Sequence, residues 1–289
     1  MKKKTALVLI YTLTASILPT IVLRDWLDAG VDPVPFQIMI LGFISLYQLL
    51  TKDRHNLLKY SMILTAVVTA QFMAGIISRT PWWREIFDVY TFTGNFGGSI
   101  LLKFIFILPI IALLLLFYRS PKEVFLTKGD LSVKAERIGW LGIEGNRITW
   151  GRLAVISAFL ISSGTLMLTV LTVTGFRIPE HLEELPLNLP MILILALVNS
   201  FSEGVVYRSA IMGPLRNELR KDVVILTAAV FFGIGHYYGA PSGLIGIVMS
   251  SLLGWFMCRS MYETEGFLSA WIIHFMQDAV IFSAVIVMG

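Results

Sequence analysis

Charge is what this sequence has least of. Only 15% of its 289 residues are charged while 56% are hydrophobic, and so little polar surface cannot coat a water-soluble globule of this length. Cysteine is scarcer still: Cys258 stands alone, which excludes an intrachain disulfide and says nothing firm about redox compartment. No internal repeat, low-complexity tract or soluble domain is visible. The one long polar interruption is 119–150.

What the chain does have is a succession of apolar runs. About 20 largely apolar residues cross roughly 30 Å of hydrocarbon. Runs of that order recur at 5–23, 34–51, 58–78, 97–118, 151–175, 188–212, 223–238, 241–258 and 266–288, the seventh being short. In lipid the backbone must satisfy its own hydrogen bonds, and runs this long fit helices rather than the alternating strands of an outer-membrane barrel. The expectation is an all-α, polytopic transmembrane helix bundle of about eight to nine spans. The N-terminal MKKKTALVLIYTLTASILPTIVL has the basic start and apolar run of a signal sequence. It lacks a clear small-x-small cleavage site and reads as a retained first span.

Positively charged loops stay on the cytoplasmic side. With Lys2, Lys3 and Lys4 inside, 17 basic residues fall inside and four outside, namely Arg24, Arg79, Arg84 and Arg177. The outer loops also carry the acids Asp25, Asp28, Asp32, Glu180, Glu183 and Glu184. This predicts an integral, multi-pass protein of a prokaryotic plasma membrane, with its N-terminus cytoplasmic and its C-terminus outside. The net charge of +4 then answers anionic lipid headgroups and not nucleic acid. Segment 119–150 reads as a cytoplasmic interfacial stretch, with Trp140 and Trp150 at one headgroup region and Trp82 and Trp83 at the other. The division expected is 1–150, the N-terminal spans plus that segment, and 151–289, which holds nearly all the polar residues within spans.

A titratable side chain inside a span is costly, so each marks a candidate site. Six qualify. Lys103 reads as a residue that snorkels to the outer surface. The other five, Glu203, Arg208, His236, His274 and Asp278, fall in the last four spans. Interhelical hydrogen bonds that merely hold a bundle could use the same residues, but the local patterns point further. They are SEGVVYRS at 202–209, FGIGH at 232–236 and HFMQD at 274–278.

In this order, each in its own apolar segment, these patterns resemble the CAAX protease and bacteriocin-processing (CPBP) family of intramembrane endopeptidases. The family's motifs run Glu-Glu-x-x-x-Arg, Phe-x-x-x-His and His-x-x-x-Asn or Asp, and the resemblance covers roughly 188–288. Carried across, the first glutamate is Glu203, the arginine Arg208, the Phe-His pair Phe232 and His236, and the last pair His274 and Asp278. The resemblance implies that Glu203, helped by His236, deprotonates a water molecule while His274 with residue 278 holds the oxyanion. Asp278 then orients His274, and Phe232 walls the pocket. A peptide or prenylated protein C-terminus is the implied substrate, and no cofactor or metal is implied.

One position departs from the pattern, because Gly204 stands where the family has its second glutamate. Positions 204 and 208 are i and i+4 on a helix, where an acid and an arginine face each other. Arg208 is therefore expected to find another carboxylate: Asp278, Asp222, or one from a lipid or substrate. Counting helical rise from the span ends puts Glu203 and His274 at similar depth and His236 about 10 Å away from them. That requires a steeply tilted helix or a connection at 213–222 that dips into the membrane. Two alternatives stay open. Glu203, His236 and His274 could be three ligands of a zinc ion, although no His-Glu-x-x-His helix is present. A non-enzymatic protein on a degenerate protease frame, whether an immunity protein, a scaffold or a proton-coupled transporter, could also use these groups.

Overall fold

The computed structural model describes residues 2–51, 56–88, 91–170, 181–239 and 241–288. Lys52, Arg54, His55, Arg177, Glu180 and the end of the span expected at 151–175 lie outside the described residues. Along the described chain run α1 (Lys2–Ala15), α2 (Leu18–Thr20), a π-helical turn (Ile21–Trp26), α3 (Val34–Leu50), α4 (Leu58–Ile77), α5 (Pro81–Ile86) and α6 (Phe92–Phe117). The second half holds α7 (Trp150–Thr169), α8 (Leu185–Gly204), a second π-helical turn (Val205–Ser209), α9 (Ala210–Leu215), α10 (Lys221–Gly235), α11 (Gly243–Thr264) and α12 (Leu268–Met288). The protein is an all-α, multi-pass membrane bundle.

Six helical runs among the described residues are long and apolar enough to cross a bilayer, or seven if the pair Lys2–Ala15 and Leu18–Trp26, bent by 62°, counts as one span. The shortfall against eight or nine comes from two elements. α3 has 17 residues and α10 has 15, and at about 1.5 Å per residue α10 covers only about 22 Å. Faces at helical spacing meet lipid, as Phe43, Tyr47 and Leu50 do on α3 and Val155 and Phe159 on α7.

One continuous apolar core runs from Val8 and Tyr60 in the first half to Phe232 and Ile273 in the second. Three helix pairings position the site: α8 packs on α12 and on α6, and α10 packs on the π turn at Val205–Ser209. α9 is buried throughout, from Ala210 to Leu215. α10 then starts at the surface, after the exposed Asn217 and Arg220.

Segment 119–150 forms a strap over the turn between α11 and α12. Asp130 N donates to Thr264 O, and Phe267 N to Thr127 O. Gly129 lies at φ +78°, and a Cβ there would stand 2.7 Å from the Gly266 Cα, so only glycine allows the approach. Two of the tryptophans assigned to headgroup regions are instead packed inside. Trp150 is fully buried and Trp83 nearly so, while Trp82 and Trp140 are exposed. The indole N–H of Trp150 finds an internal partner, Glu263 Oε2, at 2.7 Å, which removes its reason to seek the interface.

Candidate active site

The titratable groups of α8, α10 and α12 meet at one point. Oε2 of Glu203 lies 3.7 Å from His236 Nε2 and 3.6 Å from His274 Nε2. His274 Nε2 is also 3.5 Å from Asp278 Oδ1, one turn along the same helix. The side chains are withdrawn from the surface to different degrees, with His236 29% exposed, Glu203 13% and His274 3%. His236 meets Glu203 despite the depth mismatch expected from helical rise, and it does so from the end of α10. That helix ends at Gly235, and His236 is its terminal cap, with φ −100° and ψ 12°. The imidazole thus sits at the C-terminal end of a short helix and not midway along a long one.

Hydrogen-bond partners fix the two histidines in opposite tautomers. His236 Nδ1 lies 2.8 Å from the Phe232 carbonyl, and a carbonyl only accepts, so Nδ1 carries the hydrogen and Nε2 presents a lone pair. His274 Nδ1 lies 2.9 Å from Arg208 Nη2, and a guanidinium only donates, so here Nε2 carries the hydrogen. One acceptor and one donor therefore face the same carboxylate oxygen. Their 3.6–3.7 Å separations from it are longer than direct hydrogen bonds and of the kind a water molecule bridges. Phe232 separates the pair, its ring centroid 4.2 Å from that of His236 and 5.6 Å from that of His274.

Arg208 does not find the carboxylate expected for it. Asp222 is 81% exposed and lies beside Arg220, and Asp278 is engaged by Asn199 and His274. Arg208 is instead fully buried, bonds His274 and stacks on Phe232 with Cζ 5.3 Å from the ring centroid. Among the described residues its Nε and Nη1 have no hydrogen-bond partner. Sealed in this way, it also presents no surface to a lipid or substrate carboxylate. The space a glutamate at 204 would need is taken: a Cβ on Gly204 would stand 2.2 Å from Phe267 Cζ and 3.2 Å from Arg208 Nη2. The i, i+4 relation of 204 and 208 is thus real, and an aromatic ring from the start of α12 has filled the gap.

Two residues of the cluster were missed or misread in the sequence. Asn199, one turn before Glu203, donates to Glu203 Oε1 at 3.3 Å and to Asp278 Oδ2 at 3.0 Å. Its signal was an amide inside a span at i−4 from the glutamate. Lys103 does not snorkel outward; its Nζ lies 2.9 Å from both Glu203 Oε1 and Asn199 Oδ1. Beside this pair opens a cavity of about 90 Å³ lined by Gln71, Lys103, Phe106, Glu203, Val206 and Tyr207, room for several water molecules. Among the described residues no three His, Cys, Asp or Glu side chains are grouped to hold a metal ion.

A helical membrane domain with a largely buried acid, two histidines and an adjoining cavity defines the class, a polytopic membrane protein with a polar site among its helices. Residues 185–280 match the family described as type II CAAX prenyl endopeptidase Rce1-like, in agreement with the resemblance carried by the motifs of that region. The family is one of membrane proteases acting on peptide or prenylated protein substrates. The match spans a third of the chain and contains all three motifs. No curated protein and no solved structure matches the chain.

Proposed function

We propose that the chain is a glutamate-type intramembrane endopeptidase. The single observation that supports this most is the pair of opposite tautomers facing Glu203 Oε2. Peptide hydrolysis needs a base for water and a donor for the oxyanion, and one oxygen flanked by an acceptor and a donor supplies the setting for both. Glu203, aided by the Nε2 lone pair of His236, takes a proton from water. The oxygen attacks the scissile carbonyl, whose developing charge accepts the His274 Nε2–H. Glu203 then returns the proton to the leaving amine as the C–N bond breaks. Asp278 stands 3.5 Å from the same Nε2 of His274, and Arg208, bonded to Nδ1 on the other flank of the ring, fixes its tautomer.

An apolar cavity of about 450 Å³ lies between α6, the strap and the start of α12, lined by Ile111, Leu115, Leu126, Phe201, Phe267 and Trp271. Phe201 is two residues from Glu203 and so points from a different face of α8, and the cavity's lining includes none of the groups around the base. No metal enters this reading. The guanidinium 2.9 Å from His274 and the ammonium 2.9 Å from Glu203 are fixed cations that oppose a dication among these ligands, and cleavage retained in strong chelator is expected. The end of the bundle carrying Lys4, Lys122, Arg216, Lys221 and Arg259 is assigned to the cytoplasm on the bias of positive charge.

The test uses the full chain in lipid vesicles with prenylated and unprenylated peptides. Replacing Glu203 by Gln is expected to lower cleavage by about 10²–10⁴-fold, the range for loss of a general base. Equal cleavage by both proteins overturns the role of Glu203. Cleavage by neither favours the non-enzymatic reading, which the ammonium resting on Glu203 and the glycine at 204 keep in play.

A further inference from the structure

We infer that Lys103 is a positioning residue of this site, clamping Oε1 of Glu203 together with Asn199 so that Oε2 is the oxygen left facing the two histidines. The inference rests on the proteolytic reading above. It extends the site beyond residues 185–280 into α6, a helix in the half of the chain that carries no motif.

The geometry divides the two carboxylate oxygens cleanly. Oε1 takes Lys103 Nζ at 2.9 Å and Asn199 Nδ2 at 3.3 Å, while Oε2 has only the two imidazoles at 3.6–3.7 Å. A glutamate side chain left to itself samples several rotamers, and two donors converging on one oxygen select one of them. Asn199 is itself held from both ends, its Oδ1 accepting from Lys103 and its Nδ2 donating to Asp278 Oδ2 at 3.0 Å. Lys103, Asn199, Glu203 and Asp278 therefore form one chain of bonds across α6, α8 and α12.

Charge points the same way. The cluster holds two carboxylates, Glu203 and Asp278, and two cations, Lys103 and Arg208. Arg208 spends its one bond on His274, so Lys103 is the cation bonded to Glu203. A snorkelling lysine would turn its ammonium away from the bundle, yet this one, 47% exposed along its side chain, turns it to the carboxylate and the cavity.

The experiment measures kcat and KM of the full chain in lipid vesicles, using one peptide with a free C-terminal carboxylate and the same peptide amidated. Lys103→Met is expected to lower kcat about 10²-fold, the cost of misplacing a reacting group by about an ångström. KM should change little for either peptide, and Lys103→Arg should restore most of the rate. In a Glu203→Gln background Lys103→Met should have no further effect. Unchanged kcat overturns the proposal. So does a loss confined to KM of the free-carboxylate peptide, which would make Lys103 a substrate ligand. If the unaltered chain cleaves nothing, the proteolytic reading fails on its own. A melting-temperature cycle of Lys103→Met with Glu203→Gln then decides the clamp, where additive effects overturn it and coupling upholds it. Lys103→Gln serves if Lys103→Met does not fold.

Discussion

The molecule holds two clusters of charged residues that differ in how well they are satisfied. At the basic end, Glu263 is 3% exposed and takes Trp150 Nε1 at 2.7 Å, Glu136 N at 3.0 Å and Arg259 Nε at 2.8 Å. Beside it Glu265 bonds Lys122 at 2.6 Å and Arg216 at 2.9 Å. In the interior, His236 and His274 stand 3.5–3.7 Å from the carboxylates around them, and two nitrogens of buried Arg208 have no partner among the described residues. A saturated network stabilises the fold that makes it. A half-satisfied one costs stability, and its open positions are where a reacting molecule completes the bonding. The first cluster joins the strap to α10 and α11, and the second is the candidate site.

The sharpest way to break this comparison is to remove the centre of the saturated cluster. Taking one partner from a buried ion pair strands the others and costs about 3–5 kcal/mol. Glu263→Ala strands Arg259 and Lys221 and leaves the Trp150 indole unpaired. It should lower the melting temperature in detergent by more than any single change in the interior cluster, while peptide cleavage per folded molecule stays near that of the unaltered chain. A melting temperature within a degree of the unaltered chain would erase the distinction between the two clusters.

A second test converts the interior cluster toward saturation. Gly204→Glu gives Arg208 a direct carboxylate but drives the new side chain into Phe267, whose Cζ is 2.2 Å from the Cβ position. Such overpacking costs about 1–3 kcal/mol. Phe267→Ala alone leaves a void beside Phe201 and Trp271, with which its ring packs. Together the two changes should cost less than their sum, with a coupling of about 0.5–3 kcal/mol for neighbours that share space. Strictly additive melting shifts would show that glycine and phenylalanine do not compensate each other. The double variant should also cleave more slowly, because a guanidinium drawn to residue 204 releases the tautomer of His274.

What could be read from the sequence follows from how local each signal is. The helical class follows from run length, and the polar residues of α8, α10 and α12 stand out because lipid makes them costly. The convergence of Glu203, His236 and His274 was expected. The place of His236 as the cap of α10 was not, since a short run does not reveal at which residue its helix ends. Lys103 was misread because a lysine a turn or two inside the span expected at 97–118 has two acceptable fates, interface or partner, and the choice depends on a residue 100 positions away. The burial of Trp150 depends in the same way on a distant residue, Glu263. Arg208 was expected beside a carboxylate because electrostatics ranks that partner first. The structure gives it an imidazole, since Phe267 fills the space and Asn199 has claimed Asp278.

The smallest expected effect lies at the rim of the saturated cluster and tests its edge. The hydrogen bond from Lys122, followed by that from Arg216, holds the Glu265 carboxyl below the usual carboxylate range. A carboxyl so depressed stabilises the fold above its unfolded pKa of about 4.3, and that contribution is lost as pH falls through the lower folded value. Glu265 is 42% exposed, so solvent screening holds the contribution to about 1 kcal/mol or less. Glu265→Gln should therefore melt about 2–4 °C below the unaltered chain at pH 7, with the gap closing as pH drops from about 5 toward 3. A gap that persisted at pH 3 would mean that Glu265 contributes through turn geometry at φ 53° and not through charge. A gap as large as that of Glu263→Ala would mean that exposure does not grade the members of this cluster, and that the strap depends on its outermost pair as much as on its buried one.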